Sequence, residues 1–249
     1  MNPNEPINVS LFVTCIVDQL YPEIGESVVK VLRRQGVSVS FPPGQTCCGQ
    51  PLFNSGYRRD TIALARRVVE EFQDADYVVV PSGSCTAMIK EFYPELLANE
   101  KSYANQAQSL STRTFELSQF LVKVLGVTDV GSSFHGKVAY HPSCHLLREL
   151  GVADEPLTLL KGIKNAELIE LPDATTCCGF GGTFSVKYPD ISEAILEDKL
   201  KAIECSGAEI LTACDPSCLM HIGGGLSKRK PDKGVRTMHL AELLATEEN

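Results

Sequence analysis

Several common features are missing from this 249-residue sequence. No stretch approaches the roughly 18–20 consecutive apolar residues that a membrane-spanning helix requires, so no membrane span is expected. Basic residues are outnumbered, with 23 Lys and Arg against 31 Asp and Glu, which gives a formal net charge of −8. An acidic chain repels a phosphate backbone, and this argues against nucleic acid as a partner. Tryptophan is also absent, but its absence excludes no class of protein.

Targeting and nucleotide-binding signals are missing as well. Residues 1–6 are polar and have neither a cationic start nor an apolar stretch, so we expect no signal peptide and a cytoplasmic protein. Residues 131–137 spell most of a P-loop, but Val138 stands at the Ser/Thr position and a strand is predicted where a helix should begin. No G-x-G-x-x-G segment follows a predicted strand, so a nicotinamide or flavin site is not expected.

Cysteine is abundant, with ten residues in the chain. Disulfide-rich secreted domains are short, whereas this chain is long enough to bury a substantial core. In a reducing compartment, numerous thiols indicate metal, cluster or catalytic chemistry more often than disulfides.

The cysteines follow an internal repeat. Cys15 matches Cys144 at a separation of 129 residues, the triplet 47–49 (Cys-Cys-Gly) matches 177–179 at 130, and Cys85 matches Cys218 at 133. The tails also agree, because 114–117 reads TFEL and 237–240 reads TMHL. Ordered landmarks of this kind indicate two homologous halves, which we predict to be residues 1–130 and 131–249.

Each half alternates apolar strand patterns with amphipathic helix patterns. This rhythm predicts an α/β fold of two parallel-sheet halves related by a pseudo-two-fold duplication. Most of the repeated cysteines follow predicted strands, and the Cys-Cys-Gly triplets fall in loops that precede helices. Since functional sites of open α/β sheets form at the carboxyl ends of the strands, the cysteines of each half should converge there.

Adjacent thiols suit a multi-iron cluster better than zinc, which prefers C-x₂₋₄-C spacing. The second half offers five candidate ligands and the first half four, because Pro81 stands where the second half has Cys214. A [4Fe–4S] cluster is expected in the second half, whereas the first half could hold a cluster, zinc or nothing. Glycines in and after the triplets would allow close backbone approach to such a group. The candidate metal ligands are Cys144, Cys177, Cys178, Cys214, Cys218, Cys15, Cys47, Cys48 and Cys85, and the candidate cofactor-binding glycines are Gly49, Gly179, Gly181 and Gly182.

This pattern resembles the cysteine-rich CCG domain family. Its carriers include heterodisulfide reductase and the iron–sulfur proteins of glycolate and glycerol-3-phosphate oxidation. The two-repeat, stand-alone form with the segments 140–146 (YHPSCHL) and 178–182 (CGFGG) is similar to the lactate-utilisation branch. The resemblance covers nearly the whole chain. It implies [4Fe–4S] clusters, a cytoplasmic role in the oxidation of L-lactate to pyruvate, and lactate utilisation proteins B and C as partners. The chain departs from the family pattern in its four-cysteine first half and in its C-x₃-C spacing at 214–218.

Other residues carry weaker signals. His141 and His145 flank Cys144 and could serve a redox centre as ligand or proton donor, although a structural hydrogen bond at the strand end is the more ordinary role for His141. Arg148 could hold a substrate carboxylate, but a solvated helix residue is the commoner case. We expect Cys205 to be a plain buried thiol and residues 223–225 (Gly-Gly-Gly) to form a flexible turn.

Three functions therefore remain open. The first is an iron–sulfur redox subunit that takes part in the oxidation of a small 2-hydroxy acid, with partners completing the reaction. The second is a thiol-disulfide redox enzyme, as in the heterodisulfide reductase relatives. The third is a zinc-stabilised binding module without catalytic activity.

Overall fold

The computed structural model describes residues 7–229 and 234–248. Residues 1–6, on which the prediction of no signal peptide rests, lie outside the described residues. The first half contains four strands and eight α-helices among these residues, with π-helical turns at Met88–Phe92 and Phe120–Val124. In chain order these elements are β1 (Asn8–Leu11), α1 (Cys15–Leu20), α2 (Pro22–Arg34), β2 (Ser38–Ser40), α3 (Gln50–Asn54), α4 (Arg58–Glu71), β3 (Tyr77–Val80), α5 (Gly83–Ala87), α6 (Tyr93–Leu96), α7 (Ala104–Arg113), β4 (Thr114–Glu116) and α8 (Leu117–Gln119).

The second half repeats this arrangement with longer elements. Its elements are β5 (Ser133–Tyr140), α9 (Cys144–Arg148), α10 (Asp154–Lys161), β6 (Lys164–Ile169), α11 (Thr183–Lys187), α12 (Pro189–Ser206), β7 (Ile210–Ala213), α13 (Pro216–Arg229), β8 (Arg236–His239) and α14 (Leu240–Ala245). The P-loop-like segment runs into β5, so the strand predicted there is confirmed. Among the described residues, no helix is both long enough and apolar enough to cross a membrane.

Both halves form a four-stranded parallel sheet with the same topology. The strand order is β2-β1-β3-β4 in the first sheet and β6-β5-β7-β8 in the second. All the pairings are parallel, with Val9 opposite Tyr77 in the first half and Val138 opposite Ile210 in the second. The predicted α/β fold with two similar parallel-sheet halves is therefore confirmed.

The matching tails of the repeat are the fourth strands of the two sheets. β4 pairs with β3, and β8 pairs with β7. Each of these strands ends in a buried residue whose side chain caps the next helix: Glu116 accepts from the amide of Ser118, and His239 Nδ1 accepts from the amide of Ala241 at 3.1 Å. The tails are alike because both must end a strand and begin a helix within one residue.

One apolar core runs through both halves. It contains Val9 and Leu117 from the first half together with Val138, Ile210 and Leu240 from the second. Helix α14 packs against α2, and α10 packs against α8, so helices of the second half are packed on the first. The boundary that we predict near residue 130 stays a proposal, because this core is continuous across it.

The glycine triplet at 223–225 is not a turn, and the prediction of a flexible turn was wrong. All three residues lie inside α13. A Cβ atom on Gly223 would lie 2.9 Å from Thr237 Oγ1, and one on Gly225 would lie 2.8 Å from Leu200 Cδ1. Close packing of α13 against β8 and α12 therefore accounts for two of the three glycines.

Candidate metal centre

Four cysteines of the first half converge, and we call them the first thiol set: Cys15, Cys47, Cys48 and Cys85. Cys15 Sγ lies 3.7 Å from Cys47 Sγ, and Cys48 Sγ lies 3.4 Å from Cys85 Sγ. The thiols of Cys47 and Cys48 interact as well, which joins the two pairs. Cys15 begins α1 and Cys85 lies in the first turn of α5, so strand ends and helix starts bring together residues that are 70 positions apart.

The second thiol set consists of Cys144, Cys177, Cys178 and Cys218, and its geometry is the same. Cys178 Sγ lies 3.4 Å from Cys218 Sγ, while Cys177 interacts with both Cys144 and Cys178. Cys144 begins α9 and Cys218 lies in the first turn of α13. Convergence at the carboxyl ends of parallel strands is thus observed in both halves.

The two sets share an electrostatic pattern. Donation from neighbouring thiols lowers the pKa of Cys47 to about 3 and that of Cys177 to about 2. The thiols that donate, Cys15 and Cys144, have a raised pKa for the same reason, and burial adds to the effect. The arrangement therefore favours a thiolate in each set, and a thiolate is the form of cysteine that binds metal.

Backbone amides of the Cys-Cys-Gly loops support these thiolates. The amide of Gly49 donates to Cys47 Sγ at 3.4 Å, and the amide of Gly179 donates to Cys177 Sγ at 3.3 Å. Both glycines have a positive φ, +85° and +90°. A Cβ atom on Gly179 would also lie 2.6 Å from the carbonyl oxygen of Ser192, so only glycine fits there.

One cavity of about 420 Å³ is lined by both thiol sets. The two halves thus present their cysteines to a common space, which Gln50, Asn54, His145 and the segment 180–183 also line. Gly181 and Gly182 lie in that segment, on the wall of the cavity.

Asp215 connects the two halves beside this cavity. Its Oδ2 atom accepts from the amide of Ser84 at 2.8 Å and from the hydroxyl of Ser82 at 3.4 Å, both in the first half. Its Oδ1 atom accepts from the hydroxyl of Ser217 at 2.6 Å. The amide of Gly83 donates to the carbonyl of Cys214 at 3.2 Å. These bonds hold the starts of α5 and α13 together.

Cys214 is separate from the second thiol set. Its buried thiol lies 3.9 Å from the Tyr140 hydroxyl and is close to Glu116 and Ser118 of the first half. Within the described part of the chain, Cys214 makes no contact with another thiol. The contacts therefore favour four donors in each half, and Pro81, the first-half counterpart of Cys214, leaves the first set with no fewer donors than the second.

The candidate catalytic residues differ in position. His141 is fully buried, and its ring, the Cys178 Sγ and the Cys218 Sγ offer ligand atoms that all lie within 4.8 Å of one another. Neither ring nitrogen of His141 makes a hydrogen bond of normal geometry within the described residues, so the structural bond expected at the strand end is not there. His145 lines the cavity and pairs with Glu149 at 2.6 Å. Arg148 is exposed and donates to the carbonyl of Thr175 at 3.3 Å, away from the cavity lining.

Cys205 is exposed at the end of α12, so the expectation of a buried thiol was wrong. Sequence analysis also missed two residues near the second thiol set. Lys199 is buried on α12, and its charge interacts with those of Cys178, Cys144 and Cys177. His221 lies on α13 and interacts with Cys177. A lysine at an apolar-face position of α12, beside Leu196 and Leu200, was the signal that could have identified Lys199.

The donor chemistry fits two kinds of metal group. Four cysteine thiolates are the usual ligands of a [4Fe–4S] cluster, and they also suit tetrahedral zinc. The buried, unpartnered ring of His141 beside Cys178 and Cys218 is further consistent with a group in the second thiol set that needs a ligand or a donor.

Comparisons with known proteins agree with this geometry. The CCG cysteine-rich domain profile matches residues 9–90 and 138–223, once in each half. The chain is 49% identical over 238 residues to lactate utilization protein A of Bacillus subtilis, covering 96% of this chain and 99% of that protein. It is also 49% identical over 242 residues to the protein of that name from Shouchella clausii, covering 97% and 100%.

Among solved structures, a hypothetical protein from Helicobacter pylori shares the fold, with a TM-score of 0.66 and 14% identity. The match covers 99% of this chain and 50% of that one, so the chain spans about half the length of its structural relative. The profile match in both halves and the full-length relatives lead to one conclusion: the chain belongs to the CCG cysteine-rich domain family.

Proposed function

We propose that this chain is the iron–sulfur component of a lactate-oxidising system, in which each thiol set holds a [4Fe–4S] cluster. The observation that carries the proposal is the presence of two matched sets of four thiols facing one cavity. The relatives that match over nearly their full length are named for lactate utilization, which supports L-lactate as the source of the electrons.

The chain's own residues would hold and tune these groups. When bound, each cluster supplies a site that accepts and releases one electron. The four thiolates of each set would ligate it, and the amides of Gly49 and Gly179 would donate to ligating sulfurs, which raises the reduction potential. Burial of Cys48, Cys85, Cys178 and Cys218 limits the access of water to this face of each site.

The chain would not complete the reaction alone. Oxidation of a 2-hydroxy acid to a 2-oxo acid removes two electrons and two protons, and the sequence has no recognisable flavin or nicotinamide motif. We therefore propose that partner chains of the same system, lactate utilisation proteins B and C, take part in substrate oxidation and in onward electron transfer.

Anaerobic purification of the full chain, followed by iron and sulfide analysis and EPR spectroscopy, tests the proposal. We expect about four iron and four sulfide ions for each loaded thiol set. A well-folded anaerobic preparation that contains neither element would contradict it. Zinc without sulfide would instead support the binding-module function, for which His141, Cys178 and Cys218 offer suitably close ligand atoms.

A second candidate function is thiol-disulfide exchange, and the 3.4 Å contacts Cys48–Cys85 and Cys178–Cys218 favour it. Turnover of a low-molecular-weight disulfide with a reduced viologen as electron donor distinguishes this function from lactate oxidation. Absence of turnover in a cluster-loaded preparation would count against it.

A further inference from the structure

The two thiol sets differ in the side chains that surround them. The repeat places Phe12 where the second half has His141, three residues before the first cysteine of each set. Phe12 is fully buried in the apolar cluster that contains Cys48 and Cys85. The buried ring of His141 instead brings nitrogen atoms to within 4.8 Å of the Sγ atoms of Cys178 and Cys218.

A second difference lies on the long helix of each half. Thr61 and Ser192 are equivalent, because their amides donate to the carbonyls of Tyr57 and Tyr188 at the start of each helix, both at 3.0 Å. The same offset of 131 residues relates Val68 to Lys199. Val68 packs in the apolar cluster of the first half.

Lys199 is only 1% exposed, and its ammonium donates to the carbonyls of Asp173 (2.8 Å) and Ala174 (3.1 Å), just before the Cys-Cys-Gly loop. Its charge acts on three thiols of the second set, as described above. The first half has no charge at the equivalent position.

A third difference follows the last cysteine of each set. Met88 lies three residues after Cys85, and His221 lies three residues after Cys218. Met88 is fully buried in the same apolar cluster as Phe12 and Val68. His221 contacts the ring of Phe180 at a centroid distance of 5.7 Å and approaches the Ser192 hydroxyl at 3.4 Å.

The remaining polar groups do not cancel this difference. Backbone donation to sulfur is matched between the halves through Gly49 and Gly179. Asp215 carries a negative charge beside Cys218, but its carboxylate accepts bonds from Ser82 and Ser84 and so lies next to the first set as well. Arg148, whose charge acts on Cys144, adds further positive charge to the second side.

On this basis we infer that His141, Lys199 and His221 are positioning residues that make the second thiol set the more oxidising of the two sites. This inference rests on the proposed function. A cluster gains one negative charge on reduction, and nearby cations and N–H donors stabilise the reduced form more than the oxidised one. An electron shared between the sites therefore resides on the second, whose one-electron reduction is balanced by one-electron oxidation of the first.

A redox titration of the anaerobically reconstituted full chain, followed by EPR, tests the inference. Cys47→Ser and Cys177→Ser assign each signal to a thiol set. We expect the Cys177-dependent signal to have the higher reduction potential. Replacing each positioning residue by its first-half counterpart, in His141→Phe, Lys199→Val and His221→Met, should lower that potential and leave the other signal unmoved.

We expect a tenfold or larger change in the oxidised-to-reduced ratio at fixed potential for Lys199→Val, which corresponds to about 59 mV for a one-electron couple. Lys201→Val is the matched control, because Lys201 lies on the same helix but is exposed and pairs with Asp198. If Lys199→Val does not fold, Lys199→Met keeps the length of the side chain and loses only the charge. His221→Met changes a half-buried residue and provides an independent measurement.

Several outcomes would overturn the inference: equal potentials in the unmodified chain, a higher potential for the Cys47-dependent signal, a signal that depends on Cys47 alone, or potentials unmoved by all three exchanges. If only the Cys177-dependent signal is present, the three exchanges must still lower its potential. A chain that binds no iron would refute the proposed function and the inference with it, whereas a chain with two clusters of equal potential would refute the inference alone.

Discussion

At the scale of single residues, the four-donor arrangement separates the cysteines into ligands and bystanders. Cys177→Ser should abolish cluster absorbance near 400 nm in the second thiol set, because it removes the thiol that interacts with both Cys144 and Cys178. Cys205→Ser should leave absorbance and iron content unchanged, since Cys205 is exposed on the far end of α12. Equal loss in both variants would contradict the assignment of ligands.

Cys214 gives a sharper test of the same assignment. Its thiol contacts Tyr140 and the Glu116 side of the first half rather than another thiol. Cys214→Ser should therefore retain the iron content of the parent chain, with Cys218→Ser as the control that loses iron. Loss of iron in Cys214→Ser at unchanged thermal stability would restore the five-ligand arrangement expected from the sequence.

Glu116 should make stability depend on pH. Burial raises its pKa from 4.5 to about 7, against the lowering effect of donation from Ser118. A carboxyl whose folded-state pKa is raised stabilises the fold fully below its unfolded pKa, and this contribution is lost as pH rises through about 7. The loss between pH 4.5 and 8 amounts to roughly 3 kcal/mol. Glu116→Gln should remove that dependence, as measured by urea unfolding at several pH values.

The control for this measurement is Glu95→Gln, which changes an exposed glutamate of α6. It should keep the pH dependence of the parent chain. The same slope in parent and Glu116→Gln would show that the buried carboxyl does not titrate in this range.

At the scale of elements, the close contact between α5 and α9 depends on Gly83. A Cβ atom there would lie 2.7 Å from Leu146 Cβ and 3.2 Å from the Leu146 backbone. Gly83→Ala should lower the free energy of unfolding by roughly 1–3 kcal/mol, because overpacking forces the helices apart. Gly224→Ala is the control: nothing lies within 4 Å of its Cβ position, so alanine should stabilise α13 by about 0.5–1 kcal/mol. Destabilisation by both changes to the same extent would refute the role of close approach.

Much of this element arrangement was predictable from the sequence. Strand β3 begins and ends as its apolar run predicts, and the convergence of the cysteines follows from strand polarity alone. Strand β4 was not predictable, because three residues are too few to show a periodicity. The helix through Gly223 to Gly225 was missed because the contacts that favour glycine there are made with Leu200 and Thr237, which are distant in sequence.

The site was predictable only to the level of spacing. The sequence pattern places Cys214 at a strand end beside the other thiols, but spacing does not determine the direction in which its side chain points. Lys199 and His221 were missed for a related reason, since their significance depends on which helix face meets the thiols. Comparison of the two halves position by position reveals both residues as polar replacements of apolar ones.

At the scale of the whole molecule, the continuous apolar core predicts cooperative unfolding. The core joins β1 and α2 of the first half to β5, β7 and α14 of the second. Arg34 adds to this connection by donating to the carbonyls of Val130, Leu244 and Ala245 at 3.0–3.1 Å. We expect a single urea transition, in which hydrogen exchange protects strands β3 and β7 with the same free energy. Two separate transitions would show that the halves fold independently.

The sulfur contacts of 3.4–3.7 Å also constrain how the protein is assembled in the cell. Before metal is inserted, dissolved oxygen can oxidise neighbouring thiols to disulfides, and each such bond removes two ligands at once. Cys15 is exposed, so this damage would begin in the first half and at the mouth of the cavity. Insertion of metal must therefore be faster than oxidation during biosynthesis, and aerobic isolation would yield a chain that has already lost its capacity for maturation.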